Sequence, residues 1–118
     1  VTPDALQWRL FRAVLDPTLG SEQAGTRPVL VVSREVINQA LPVVAVVPLT
    51  SLKPGRRVYS TEVLIPAGAA GQPEASLVLA HQVRTISVHR LGSSYGELAD
   101  PGLRFRVREA LRVFLDLE

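Results

Sequence analysis

Short β-branched apolar runs, separated by loops rich in Pro and Gly, limit what this chain can fold into more than any other feature. Pro28-Val29-Leu30-Val31-Val32-Ser33, Leu41 to Thr50 (LPVVAVVPLT), Thr61 to Ile65 (TEVLI) and Ser76 to Ala80 (SLVLA) are each about the length of a strand and end in turn-forming residues. Gln7 to Leu15 reads as an opening strand, with Trp8 and Leu10 alternating against Arg9. Runs this short and unbroken suit strands buried on both sides, or half-buried strands in a small curled sheet. Only the tail has helical periodicity. Leu103, Val107, Ala110, Leu111 and Phe114 form one apolar stripe, Asp100 is placed to cap it, and Pro101 suits its first turn. Arg104, Arg108 and Arg112 fall on the other faces and are expected to be solvated. Arg34 to Ala40 is expected to form one short helix. The expected fold class is mainly β with a C-terminal α-helix, a small curled β-barrel with helical packing.

A length of 118 residues suits one compact domain, 1–118, and is too short for two. The absence of cysteine excludes disulfides, thiolate zinc sites and cysteine nucleophiles. Residues 1 to 15 carry Asp4, Arg9 and Arg12, unlike a signal peptide. The longest apolar run, Leu41 to Leu49, is nine residues with Pro42 and Pro48 inside it, against the ~20 that span a bilayer. A soluble, cytoplasmic protein with no membrane contact is expected. Net charge is only +2, yet all but Lys53 of the 13 basic residues are arginine. The guanidinium fork grips phosphate and stacks on bases, which suits nucleic acid. A genome rich in G and C would give the same bias.

Two loops stand out. Asp16 to Arg27 (DPTLGSEQAGTR) is long for a connection without structure, and such loops usually serve function. Ser51 to Arg57 (SLKPGRR) combines a Pro-Gly turn with three cations. Ala67 to Ala75 (AGAAGQPEA) reads as a mobile hairpin tip. The first loop and the strand after it, Asp16-Pro17-Thr18-Leu19-Gly20-Ser21-Glu22-Gln23-Ala24-Gly25-Thr26-Arg27-Pro28-Val29-Leu30-Val31-Val32-Ser33, resemble the motif of MazF/PemK (Kid) toxins. Val46-Val47-Pro48-Leu49-Thr50-Ser51 is similar to that family's V-x-P-[IVL]-T-S strand end, and Ala80-His81-Gln82-Val83-Arg84-Thr85-Ile86 to its [EDH]-Q-[IVP]-R-T-[IL] segment. These blocks, in order, cover the chain from about residue 13 to its end.

The resemblance implies an SH3-like barrel of the CcdB/MazF/PemK type, paired as a homodimer. It implies the toxin of a type II toxin–antitoxin system, an mRNA interferase that cuts single-stranded RNA at specific sequences, leaving a 2′,3′-cyclic phosphate and a 5′-hydroxyl. It also implies a MazE-like antitoxin that covers the RNA groove. Two departures stand out. The family opens with Gly and an acidic residue where this chain reads Gln7-Trp8-Arg9, and Ser21 stands where some relatives carry His.

RNA brings its own nucleophile, the 2′-hydroxyl. Cleavage then needs a base, an acid for the leaving 5′-oxygen, and positive charge for the pentavalent transition state. No metal or other cofactor is needed if arginine supplies that charge, and no cluster of Asp, Glu or His has ligand spacing. Arg27 ends the long loop just before a buried strand, so its root is held rigidly. In the family the matching arginine is catalytic and is assisted by the threonine matching Thr50. A guanidinium, which keeps its proton at any physiological pH, is a poor base, so Arg27 is expected to clamp the transition state and donate a proton. The base stays open among Glu22, His81 and a bound water. Ser21, Glu22, Gln23, Ser51, Lys53, Gln82 and Arg84 are the expected RNA-binding lining, and Arg56 and Arg57 are candidates for phosphate contact or for a solvated turn. Two other readings are a catalytically inactive paralogue that binds antitoxin, and a gyrase poison. The second expects a Trp-Gly-Ile terminus, whereas this chain ends Phe114-Leu115-Asp116-Leu117-Glu118.

Overall fold

The computed structural model describes residues 5–15, 18–23 and 25–118. Its strands are β1 (Arg9–Val14), β2 (Thr26–Val31), β3 (Val43–Ser51), β4 (Glu62–Ile65), β5 (Ser76–Leu79), β6 (Arg84–Ser87) and β7 (Leu91–Glu97). Its helices are α1 (Glu35–Ala40) and α2 (Pro101–Leu115), and single 3-10 turns lie at Ala80–Gln82 and Val88–Arg90. The strands pair antiparallel in the order β4-β5-β3-β2-β1-β7, with β6 also on β3. Among the described residues β4 and β7 do not pair with each other, so the sheet is bent but open. No helix among them is long and apolar enough to cross a membrane.

β3 is the spine. Its first half pairs with β6 and its second half with β5, while β2 runs along its other edge. This double pairing explains why Leu41 to Thr50 reads as one apolar run, because alternate residues face two different cores. Val44 and Val46 join Ala13, Leu15, Val29, Val31 and Ile86. Val47 and Leu49 join Leu10, Leu30, Val63, Ile65, Val78 and Leu98, against which α2 lays Val107 and Ala110. Each fully buried aliphatic side chain stabilises the fold by roughly 1.5–3 kcal/mol relative to exposure.

The opening strand is reached without the glycine that the resemblance led one to expect. Trp8 takes a left-handed backbone, φ 69°, a conformation costing ~1–3 kcal/mol for a residue of this kind. Its N–H donates to Val31 O at 2.7 Å and its carbonyl accepts from Leu98 N at 2.7 Å. Its ring is buried, and the guanidinium carbons of Arg104 and Arg108 lie 5.5 and 4.9 Å from the ring centroid. Arg104 is therefore only partly solvated, whereas Arg108 lies over the ring and stays exposed, as the helical pattern suggested. Asp100 does occupy the N-cap position of α2, but its side chain makes no capping hydrogen bond. Phe114, expected on the buried stripe, is half-exposed and sets its ring edge-on to His81 with centroids 6.5 Å apart.

Candidate active site

The β2–β3 register pairs Val29 with Pro48 and Leu30 with Val47. Continued towards the strand ends, it sets Arg27 opposite Thr50, with both side chains on one face of the sheet. Both line a cleft of about 160 Å³, together with Ser51. Gln72 and Glu74, from the segment before β5, and Tyr95, from β7, supply the opposite wall. The arrangement places a charged donor and a hydroxyl donor side by side at an open groove, which suits an oxyanion such as a phosphodiester.

A second cleft, of about 380 Å³, is lined by Ser21, Glu22 and Gln23 of the long loop and by His81, Gln82 and Arg84. Pro48 belongs to its wall and Leu49 to that of the first, so neighbouring residues of β3 border both. The structure thus divides most of the expected site residues between two adjacent clefts. The Asp16, Pro17 and Ala24 positions of the loop motif lie outside the described residues.

The polar groups of the second cleft are mostly engaged in holding the loop. Gln82 Oε1 accepts from Gln23 N at 2.7 Å, and Gln82 Nε2 donates to Ser21 O at 3.2 Å. Arg84 Nη1 donates to Leu15 O at 3.1 Å, and Glu22 Oε1 accepts from Leu19 N at 2.8 Å. Gln23 Oε1 is buried without a hydrogen-bond partner among the described residues. Gln82 is accordingly a latch across the chain. Replacing it with alanine is expected to speed hydrogen exchange at the Gln23 amide about tenfold, the equivalent of losing ~1.4 kcal/mol of hydrogen bonding. Exchange at the β2 amides should not change, and NMR reads both.

Lys53, Arg56 and Arg57 line neither of these clefts. Lys53 is an exposed turn residue. Arg56 makes a two-pronged ion pair with the buried carboxylate of Glu62, at 3.1 and 2.8 Å, and Arg57 lies 5.1 Å from the Tyr59 ring centroid. Burial alone would raise the Glu62 pKa, but hydrogen bonds from Arg56 and from Tyr59 N–H outweigh it and hold the carboxyl below its ordinary value. A carboxyl depressed in the fold stabilises it fully above the unfolded pKa and loses that contribution as pH falls through the folded value. Glu62→Gln should therefore be less stable than wild type near neutral pH, with the gap closing below about pH 4.5, where unfolded glutamate titrates. Urea midpoints across that range check it.

Glu74 and Tyr95 were missed as site residues. Glu74 lay in what read as a mobile tip, and β7 (LGSSYGE) has no apolar alternation by which to place Tyr95. No local signal could have found either, because the cleft is assembled from segments distant in sequence.

A bent antiparallel sheet capped by a C-terminal helix, with an arginine of β2 beside a threonine of β3 at a polar cleft, defines a small, mainly β protein class. Residues 7–115 match the family described as PemK-like, MazF-like toxin of type II toxin–antitoxin system, and the chain belongs to that family. It is 35% identical over 108 residues to endoribonuclease EndoA of Bacillus subtilis, covering 92% of this chain and 91% of that protein. It is 34% identical over 113 residues to endoribonuclease MazF9 of Mycobacterium tuberculosis, covering 92% and 93%. The fold superposes on MazF from Deinococcus radiodurans with a TM-score of 0.77 at 30% identity over 98% of each chain. It also superposes on a mycobacterial endoribonuclease solved in complex with its cognate antitoxin, with a TM-score of 0.78 at 26% identity over 98% of each chain.

Proposed function

We propose that this chain is the toxin of a type II toxin–antitoxin system, a sequence-specific endoribonuclease that cuts single-stranded RNA without a metal ion. The observation that carries this reading is the placement of Arg27 and Thr50 on one face of the sheet, at an open cleft. The Arg27 guanidinium neutralises the charge that grows on the phosphoryl oxygens as the 2′-oxygen attacks, and the Thr50 hydroxyl donates to one of them. The 2′-oxygen keeps the phosphate as a cyclic ester while the P–O5′ bond breaks, and Arg27 donates to the departing 5′-oxygen. Names of relatives support endonuclease activity, and the antitoxin-bound neighbour supports a MazE-like partner. The active form is a homodimer acting in the cytoplasm.

The test is incubation of the purified protein with diverse unstructured RNAs in EDTA, with fragment ends mapped. Cuts at one short motif, ending in 2′,3′-cyclic phosphate and 5′-hydroxyl, are expected. A folded protein that leaves every RNA intact would overturn the reading and favour an inactive paralogue.

A further inference from the structure

Cleavage needs an atom that accepts the 2′-hydroxyl proton; Glu74 lies on the Arg27 side, where the 5′-oxygen leaves, and the other titratable side chains around the clefts narrow the choice. One oxygen of Glu22 is tied to the loop backbone at Leu19. Glu62 is locked to Arg56, and His89 is exposed on the 3-10 turn at Val88–Arg90, outside the lining of both clefts. His81 lines the larger cleft, and its Nδ1 lies 3.0 Å from the Thr61 hydroxyl oxygen.

The ring is held from two further directions. Phe114 of α2 meets it edge-on at 66°, and the preceding residue is fastened to the same threonine by Ala80 N–H donating to Thr61 O at 3.0 Å. A β-branched side chain is stiff about its first torsion, so Thr61 offers its oxygen from a nearly fixed place. With Nδ1 engaged by Thr61, Nε2 is the ring nitrogen left for proton transfer in the cleft that His81 lines.

We propose that Thr61 is a positioning residue for RNA cleavage: its hydroxyl oxygen accepts from Nδ1–H of His81, leaving the Nε2 lone pair to take the 2′-hydroxyl proton. This rests on the ribonuclease reading above. As the 2′-oxygen bonds to phosphorus, its proton passes to Nε2. The P–O5′ bonding pair leaves on the 5′-oxygen, which takes a proton from Arg27. Solvent then removes the proton from the imidazolium and restores the guanidinium. Pro48 borders the His81 cleft, and at a rise of ~3.4 Å per residue Thr50 lies about 7 Å along β3 from it. The proposed base and acid thus approach one phosphodiester lying across β3 from its two sides.

The test compares Thr61→Val, which keeps the shape and removes the hydroxyl, with Thr61→Ser, which keeps the hydroxyl. Imidazole nitrogen-15 shifts of the free protein report the tautomer, and single-turnover cleavage reports chemistry apart from binding. Wild type and Thr61→Ser should both show Nδ1–H at His81. Thr61→Val should show a mixture and cut roughly tenfold more slowly, with KM changed less than about twofold, a modest share of the 10²–10⁴ that a positioned base supplies. A wild-type His81 carrying its proton on Nε2 would overturn the proposal. So would a Thr61→Val that cuts like Thr61→Ser, or one that raises KM alone. Wild-type protein that cuts no RNA would instead defeat the ribonuclease reading, and the proton role with it, whichever tautomer is found.

Discussion

Arg27→Ala is expected to lower the rate constant for RNA cleavage by about 10²–10³-fold, the cost of removing one preorganised donor from a developing oxyanion, while KM rises much less. The asymmetry follows from when the charge appears. A bound phosphodiester carries one negative charge, and the pentavalent transition state carries nearly two, so a cation at that point binds the transition state better than the substrate. Arg27 is exposed at the start of β2 and contributes nothing to either buried cluster. The variant should therefore stay folded, with stability within about 1 kcal/mol of wild type. Arg27→Lys restores the charge but not the two-pronged fork, so it should recover part of the rate and not all of it. Thr50→Val should cost less, and the double variant should fall short of the product of the two singles, because groups acting on one oxyanion are not additive. Equal rates for Arg27→Ala and wild type in a single-turnover assay would remove Arg27 from the chemistry.

Much of this candidate site was placed by the sequence because it is tied to strand ends. Arg27 is the second residue of β2 and Thr50 lies near the end of β3, and apolar runs announce both strands. A residue at the end of a well-patterned strand can be placed by counting. β6 and β7 could not be found that way. β6 is four residues of mixed polarity, and β7 has only Leu91 and Tyr95 as large apolar side chains. Both are held by backbone pairing to β3 and β1, a long-range cause that leaves no local period. The same reason hid the division into two clefts. Motif order along the chain puts Ser21 to Arg27 in one loop, yet Gln82 holds Ser21 and Gln23 in the larger cleft while Arg27 lines the other. The basic pair Arg56 and Arg57 read equally as a phosphate contact or a solvated turn because a sequence shows charge without its partner, and the buried Glu62 is that partner for Arg56.

The largest effect expected on stability comes from a glycine far from any motif. Gly71 sits at φ +86°, and a Cβ built on it would lie 2.1 Å from the carbonyl oxygen of Tyr95. Backbone meets backbone there, so no side-chain rotation can relieve the overlap. The segment cannot swing away cheaply either. Gly68 N–H donates to Gln72 O at 2.7 Å, and the buried Gln72 side chain accepts from Ala70 N at 2.9 Å and donates to Pro66 O at 2.8 Å. Gly71→Ala should therefore cost about 2–4 kcal/mol, combining left-handed strain with overpacking, which lowers the Tm by about 10 °C for a chain of this size. Gly68 is the internal control. It has nearly the same backbone, φ +82°, but nothing within 4 Å of its added Cβ, so Gly68→Ala should cost only the ~1 kcal/mol of the left-handed conformation. The difference between the two variants isolates the contact that seats residues 66–72 against β7. That contact also shapes the Arg27 cleft, whose far wall is Gln72, Glu74 and Tyr95. Gly71→Ala should thus slow RNA cleavage even at temperatures where calorimetry shows it folded, whereas Gly68→Ala should not. If the two alanines cost the same, the hairpin does not rest on β7, and the cleft must be walled on that side by something else.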